Sequence, residues 1–145
     1  MAGVQTMKKY FLLLFVLFSI AACSKKEEKL ELFNAESFAY SLDKGWEADA
    51  SVRVKGFEQN GVNGTYAVKL SYTVDLESPD GKVIRSIDSG KIDKTSAEKV
   101  IDLQINSQIQ LDSNYKLGSY KIIFNVTDDP TGRRASIQSS FDLTN

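Results

Sequence analysis

Histidine is absent from the 145 residues, cysteine occurs once and proline twice. Without histidine there is no His-based triad, no neutral-pH imidazole shuttle and no basis for most zinc or copper sites. A single cysteine excludes an internal disulfide and any multi-cysteine metal cluster. Lys plus Arg number 18 against 19 Asp plus Glu, for a formal net charge of −1. That balance lacks the basic excess of a nucleic-acid binder, so no nucleic-acid partner is expected. What the chain does have is 42% hydrophobic residues at a length that suits one domain with its own core.

Met7-Lys8-Lys9 form a short basic start, and residues 10–22 form an apolar run ending in Ile20-Ala21-Ala22. Thirteen residues make roughly 20 Å of helix, whereas a bilayer core is about 30 Å thick. Two lysines, a short apolar helix and small residues before a cut site describe a secretory signal rather than a permanent span. Residues 1–6 add nothing to that signal, so the start codon is Met1 or Met7.

Ile20-Ala21-Ala22-Cys23 resembles the lipobox of bacterial lipoprotein precursors: an aliphatic residue, two small ones, then cysteine. The resemblance covers residues 7–23. It implies that Cys23 receives a diacylglycerol, that cleavage falls between Ala22 and Cys23, and that the mature protein is anchored to a membrane of the cell envelope. Ser24 rather than Asp follows the cysteine; by the sorting rule of many Gram-negative lipoproteins, this favours the outer membrane. Removing residues 1–22 leaves 123 residues and takes away Lys8 and Lys9, so 16 basic side chains face 19 acidic ones, a difference of −3. The mixed-charge stretch after Cys23 reads as a solvated tether, giving a division into signal (1–22), lipidated Cys and tether (23–35) and domain (36–145).

From about Phe38 the period is two. Tyr66, Val68, Leu70, Tyr72, Val74 and Leu76 alternate with polar or small residues, as do Ile101, Leu103, Ile105, Ile109 and Leu111. Tyr120, Ile122, Phe124 and Val126 repeat the pattern, as do Ala135, Ile137, Phe141 and Leu143; Val52 and Val54 mark a weaker early strand. Alternation of this kind belongs to half-buried antiparallel strands. Both prolines sit in turn sequences, Ser78-Pro79-Asp80-Gly81 and Asp129-Pro130-Thr131-Gly132, and residues 60–64 read as a further loop. Thr95-Ser96-Ala97-Glu98 fits a helix-capping turn or a plain loop equally. The expected class is all-β, a sandwich of six to eight strands.

Leu117-Gly118-Ser119-Tyr120 and the hairpin after it resemble the last hairpin of immunoglobulin-like domains in bacterial envelope proteins. That resemblance implies an immunoglobulin-like sandwich without a disulfide, in which Tyr120 serves as a tyrosine corner.

Few residues offer chemistry. Asp75, Glu77 and Asp80 flank one turn, and Asp128 and Asp129 another, yet no spacing matches a calcium loop, so no metal or cofactor is assigned. A glycosidase carboxylate pair has no motif to place it, and without a base no serine is an activated nucleophile. Trp46, Tyr40, Tyr66, Tyr72 and Tyr115 are the aromatic candidates for stacking on sugars. Tyr66 and Tyr72 fall on the apolar face, which leaves Trp46 and Tyr115, beside Gly45 and Asn114, as the candidate ligand surface. Arg133-Arg134 reads as an exposed pair at a hairpin tip. The expected function is a non-catalytic binding or structural module meeting an envelope protein, with a carbohydrate-binding module as the alternative.

Overall fold

The computed structural model describes residues 28–145; the signal segment, Ala22 and Cys23 lie outside them. Eight strands follow in order: β1 (Glu31–Leu42), β2 (Gly45–Lys55), β3 (Asn60–Val62), β4 (Thr65–Glu77), β5 (Val83–Ser96), β6 (Asp102–Leu111), β7 (Gly118–Asp128) and β8 (Arg133–Leu143). There is no helix among the described residues. One sheet has the order β1-β2-β6; in the other, β4 lies between β5 and β7, with β8 beyond β7. The short β3 shares the β7 edge of β4, because β4 residues Tyr66 and Ala67 pair with β5 on one side and β3 on the other. All strand pairs are antiparallel.

The inward stripes of the two sheets share one core. Val52, Val54, Val68, Leu70, Val74, Ile122 and Phe124 are completely buried, and Leu76, Leu111, Tyr120, Val126 and Leu143 nearly so. The alternating stretches thus pack as the period of two requires, with one exception: Ile101 stands before β6 and is 82% exposed. The domain also begins earlier than position 36. Leu30 and Leu32 are buried, so residues 30–35, assigned by sequence to the tether, belong to the fold. Charged neighbours hide these two leucines from a window-based reading.

Residues 60–64 contain β3 and an Asn63-Gly64 turn, both with positive φ, the type I′ geometry that matches strand twist. At Thr95–Glu98 there is no helical turn; β5 runs through Ser96, whose hydroxyl accepts the Glu98 N–H at 3.2 Å. Strand β5 itself has a weak apolar pattern and contains Gly90. There the missing side chain admits the Tyr72 ring, since a Cβ would stand 2.5 Å from its hydroxyl.

Candidate functional site

Strand β1 inverts the usual arrangement. Its inward residues Ala35, Ser37 and Ala39 are small, and its outward residues Phe38, Tyr40 and Leu42 are large and 46–48% exposed. A bulge causes the inversion. Leu32 faces the core opposite Val54, but the register shifts between Phe33 and Glu36, where Asn34 adopts φ 50. Were the same residues in regular alternation without the bulge, Leu32, Phe38 and Tyr40 would share one face, because side chains alternate strictly along a strand.

The small inward residues have a packing reason, since Ser37 and Ala39 lie opposite Ala50 and Ala48 in β2. The large outward ones do not, because polar residues would fold equally well there. The arrangement forgoes the burial of three apolar side chains, each contributing about 1.5–3 kcal/mol when fully buried. It also encloses the Ser37 hydroxyl with no protein partner.

The outer face of β1-β2-β6 is therefore a grid of defined rows. Tyr40 aligns with Glu47, and Glu47 with Gln110; Phe38 aligns with Asp49, and Asp49 with Gln108. Glu36 likewise aligns with Ser51 and Asn106, and Phe33 with Arg53 and Gln104. Phe38 and Tyr40 meet edge to face, ring centroids 5.1 Å apart. Beside them a shallow groove of about 450 Å³ is lined by Phe38, Asp49, Ser51, Gln104, Asn106 and Gln108. Gln104 donates to Asn106 Oδ1 at 2.8 Å and Gln108 to Glu47 Oε1 at 2.8 Å. The one guanidinium of the face, on Arg53, is ion-paired with Asp102. Partial desolvation, then the charge and hydrogen bond of Asp49, raise the pKa of the Tyr40 hydroxyl, which stays neutral at pH 7. Among the described residues, Phe38 and Tyr40 are the exposed aromatic side chains.

Trp46 and Tyr115 do not form the surface expected of them. Trp46 lies within β2 on the core-facing side, half-buried, and its indole N–H donates to the Thr144 carbonyl at 3.1 Å. Tyr115 is in the β6–β7 loop but packs against the core, its ring centroid 6.3 Å from that of Tyr120. Neighbouring Gly45 and Asn114 suggested loops; the tertiary contacts that bury both rings leave no local sequence signal. Of the five sequence candidates, Tyr40 is the one that stands on the surface, and Phe38 beside it was missed. The visible signal was the alternation of Ala and Ser with Phe, Tyr and Leu over residues 35–42.

Two of the acidic side chains at the proline turns are held by internal donors. Asp75 is buried under a second bulge, in β5, where Arg85, the Ser86 N–H and Asn125 all donate to its carboxylate at 2.8–3.1 Å. Asp128 is fully buried and accepts from the Glu58 N–H, the Thr131 hydroxyl and Arg133. Arg133 is thus not an exposed solubilising residue: its guanidinium lies 2.9 Å from that carboxylate and also reaches the Glu28 carbonyl. No group of three metal-ligating side chains occurs among the described residues, and no helix there is long and apolar enough to cross a membrane.

No protein-family model and no curated protein sequence matches the chain. Among solved structures, it is similar to part of a family 123 glycoside hydrolase from Clostridium perfringens (TM-score 0.47, 16% identity). That match takes in 74% of this chain and spans 22% of the hydrolase. A structural-genomics target solved by X-ray crystallography is similar at TM-score 0.44 and 14% identity, over 85% of this chain and 90% of the other.

Proposed function

We propose that the chain is a lipid-anchored protein of the cell envelope, with an immunoglobulin-like sandwich acting as a non-catalytic binding module through the outer face of β1-β2-β6. The observation that carries this reading is the bulge at Asn34, after which Phe38, Tyr40 and Leu42 stand together on the solvent side of the sheet. The immunoglobulin-like assignment is supported by the strand orders β1-β2-β6 and β5-β4-β7-β8. It is also supported by the Tyr120 hydroxyl, which donates to the Lys116 carbonyl at 2.7 Å, the contact of a tyrosine corner.

Lipidation of Cys23 rests on the lipobox and has a geometric consequence. The Glu28 carboxylate pairs with Lys99 at 3.5 Å, and its carbonyl accepts from Arg133. The polypeptide thus joins the domain at the end that holds the β7–β8 turn. Four residues separate Cys23 from Glu28, and the five residue steps between them span at most about 18 Å of chain. The β7–β8 turn is then held near the bilayer, with the β1–β2 turn and Tyr115 at the far end and the aromatic face along the side.

A photo-crosslinking side chain in place of Tyr40 tests the binding face in intact cells, with the same group at Ser136, on the other sheet, as comparison. A specific adduct at position 40, lost with Phe38→Ala, is expected; equal labelling at both positions would refute this face.

A further inference from the structure

We infer that the outer face of β1-β2-β6 binds a neutral glycan, with Phe38 and Tyr40 stacking against the sugar's C–H faces and Asp49, Asn106 and Gln108 meeting its hydroxyls. The inference rests on the binding-module reading and specifies its ligand class.

Three features of the face converge on that chemistry. The first is the pairing of exposed aromatic rings with planar polar groups one strand away. Phe38 is in register with Asp49, and Asp49 with Gln108, so a molecule lying on the ring reaches a carboxylate and an amide within one row. A sugar ring presents an apolar C–H face and a rim of hydroxyls. It needs a ring surface beneath it and groups that both donate and accept beside it, which amide side chains do. The second is charge. Glu36, Glu47 and Asp49 give the middle of the face negative character, and Arg53 is neutralised by Asp102. Phosphate, nucleic acid and acidic polysaccharides are repelled by such a surface.

The third is shape. The groove is shallow and open, built on paired strands rather than between mobile loops, and its amides are already held by their neighbours. A shallow, open, hydroxyl-matching surface suits an extended saccharide chain better than a single anchoring side chain that fills a deep pocket. The other sheet's groove, about 510 Å³, is lined by Ser71, Thr73, Asn125 and Ser136, without an exposed aromatic ring.

The test uses the detergent-solubilised full chain on immobilised chitohexaose, cellohexaose and maltohexaose, with heparin and oligolysine alongside. Retention on at least one neutral oligosaccharide is expected, and calorimetry with that sugar should show a loss of about tenfold in affinity for Tyr40→Ala and again for Phe38→Ala. Trp46→Phe keeps the core aromatic and should bind as the parent does. Unchanged melting in the two alanine variants would show that the loss is one of contact. Retention on heparin or oligolysine alone, or equal sugar affinity in all variants, would overturn the inference. If no sugar is retained while the cellular adduct at position 40 persists, the glycan is refuted and the binding module stands. If the adduct is absent as well, both fall.

Discussion

Tyr120 shows how one side chain can serve core and loop at once. Its ring is 1% exposed and stacks on Phe141 with centroids 5.6 Å apart, while its hydroxyl ties the β6–β7 loop at Lys116. Tyr120→Ala is expected to cost about 3–5 kcal/mol, the range for large buried aromatics. Tyr120→Phe removes one hydrogen bond and should cost about 1 kcal/mol; chemical denaturation measures both. Burial raises the pKa of this hydroxyl, as it does for Tyr72, above the ordinary 10.0. A raised folded pKa means that the stability is fully present below pH 10 and is lost as pH rises through the folded values. The melting temperature should therefore fall above pH 10, and Tyr120→Phe should flatten the fall. The partnership of Asp128 and Arg133 makes the opposite kind of point. Arg133→Ala should cost about 1.5–3 kcal/mol, because a buried carboxylate would keep only the Glu58 N–H and the Thr131 hydroxyl. Tyr120 was legible because its strand is strongly periodic. Arg133 was not, since its partner's burial is created by the β2–β3 segment folding over Asp128.

At the scale of elements, the two bulges set what each edge strand presents. In β1, Asn34 takes a left-handed conformation that glycine adopts freely and β-branched residues resist. Asn34→Gly should leave stability nearly unchanged, whereas Asn34→Val should cost about 1–2 kcal/mol. Equal stability of the two variants would show that the bulge does not depend on this conformation. In β5, the bulge at Arg85–Ser86 closes over Asp75, and Gly90 leaves room for Tyr72. Gly90→Ala is expected to cost about 1–3 kcal/mol by overpacking, and less in a Tyr72→Ala background, which thermal melts of the four variants would resolve. Period-two strands were readable from the chain; bulges were not. A bulge leaves no mark in composition yet reverses the faces that strict alternation from Leu32 would give, so the alternation over residues 35–42 shows that Phe38 and Tyr40 share a face but not that this face is the outer one.

Over the whole molecule, two sheets share one core, with the polypeptide joining at the β7–β8 end and an aromatic, amide-rich face on the side of the smaller sheet. The all-β class followed from alternation over β4, β6, β7 and β8, while β5 and the start of β1 lacked a clear pattern. On the reading proposed above, a lipid anchor, an immunoglobulin-like sandwich and the exposed face make a tethered binding protein, and the anchor is the part on which location depends. After Cys23 no apolar run in this sequence approaches the length of a span. A diacylglycerol places two acyl chains in the bilayer at about 0.8 kcal/mol per buried methylene, enough for stable attachment where one chain is marginal. Mass spectrometry of the N-terminal peptide from cells producing the full chain tests this most directly. The account predicts an acylated peptide beginning at Cys23, and an unmodified N-terminus at any other residue would contradict it.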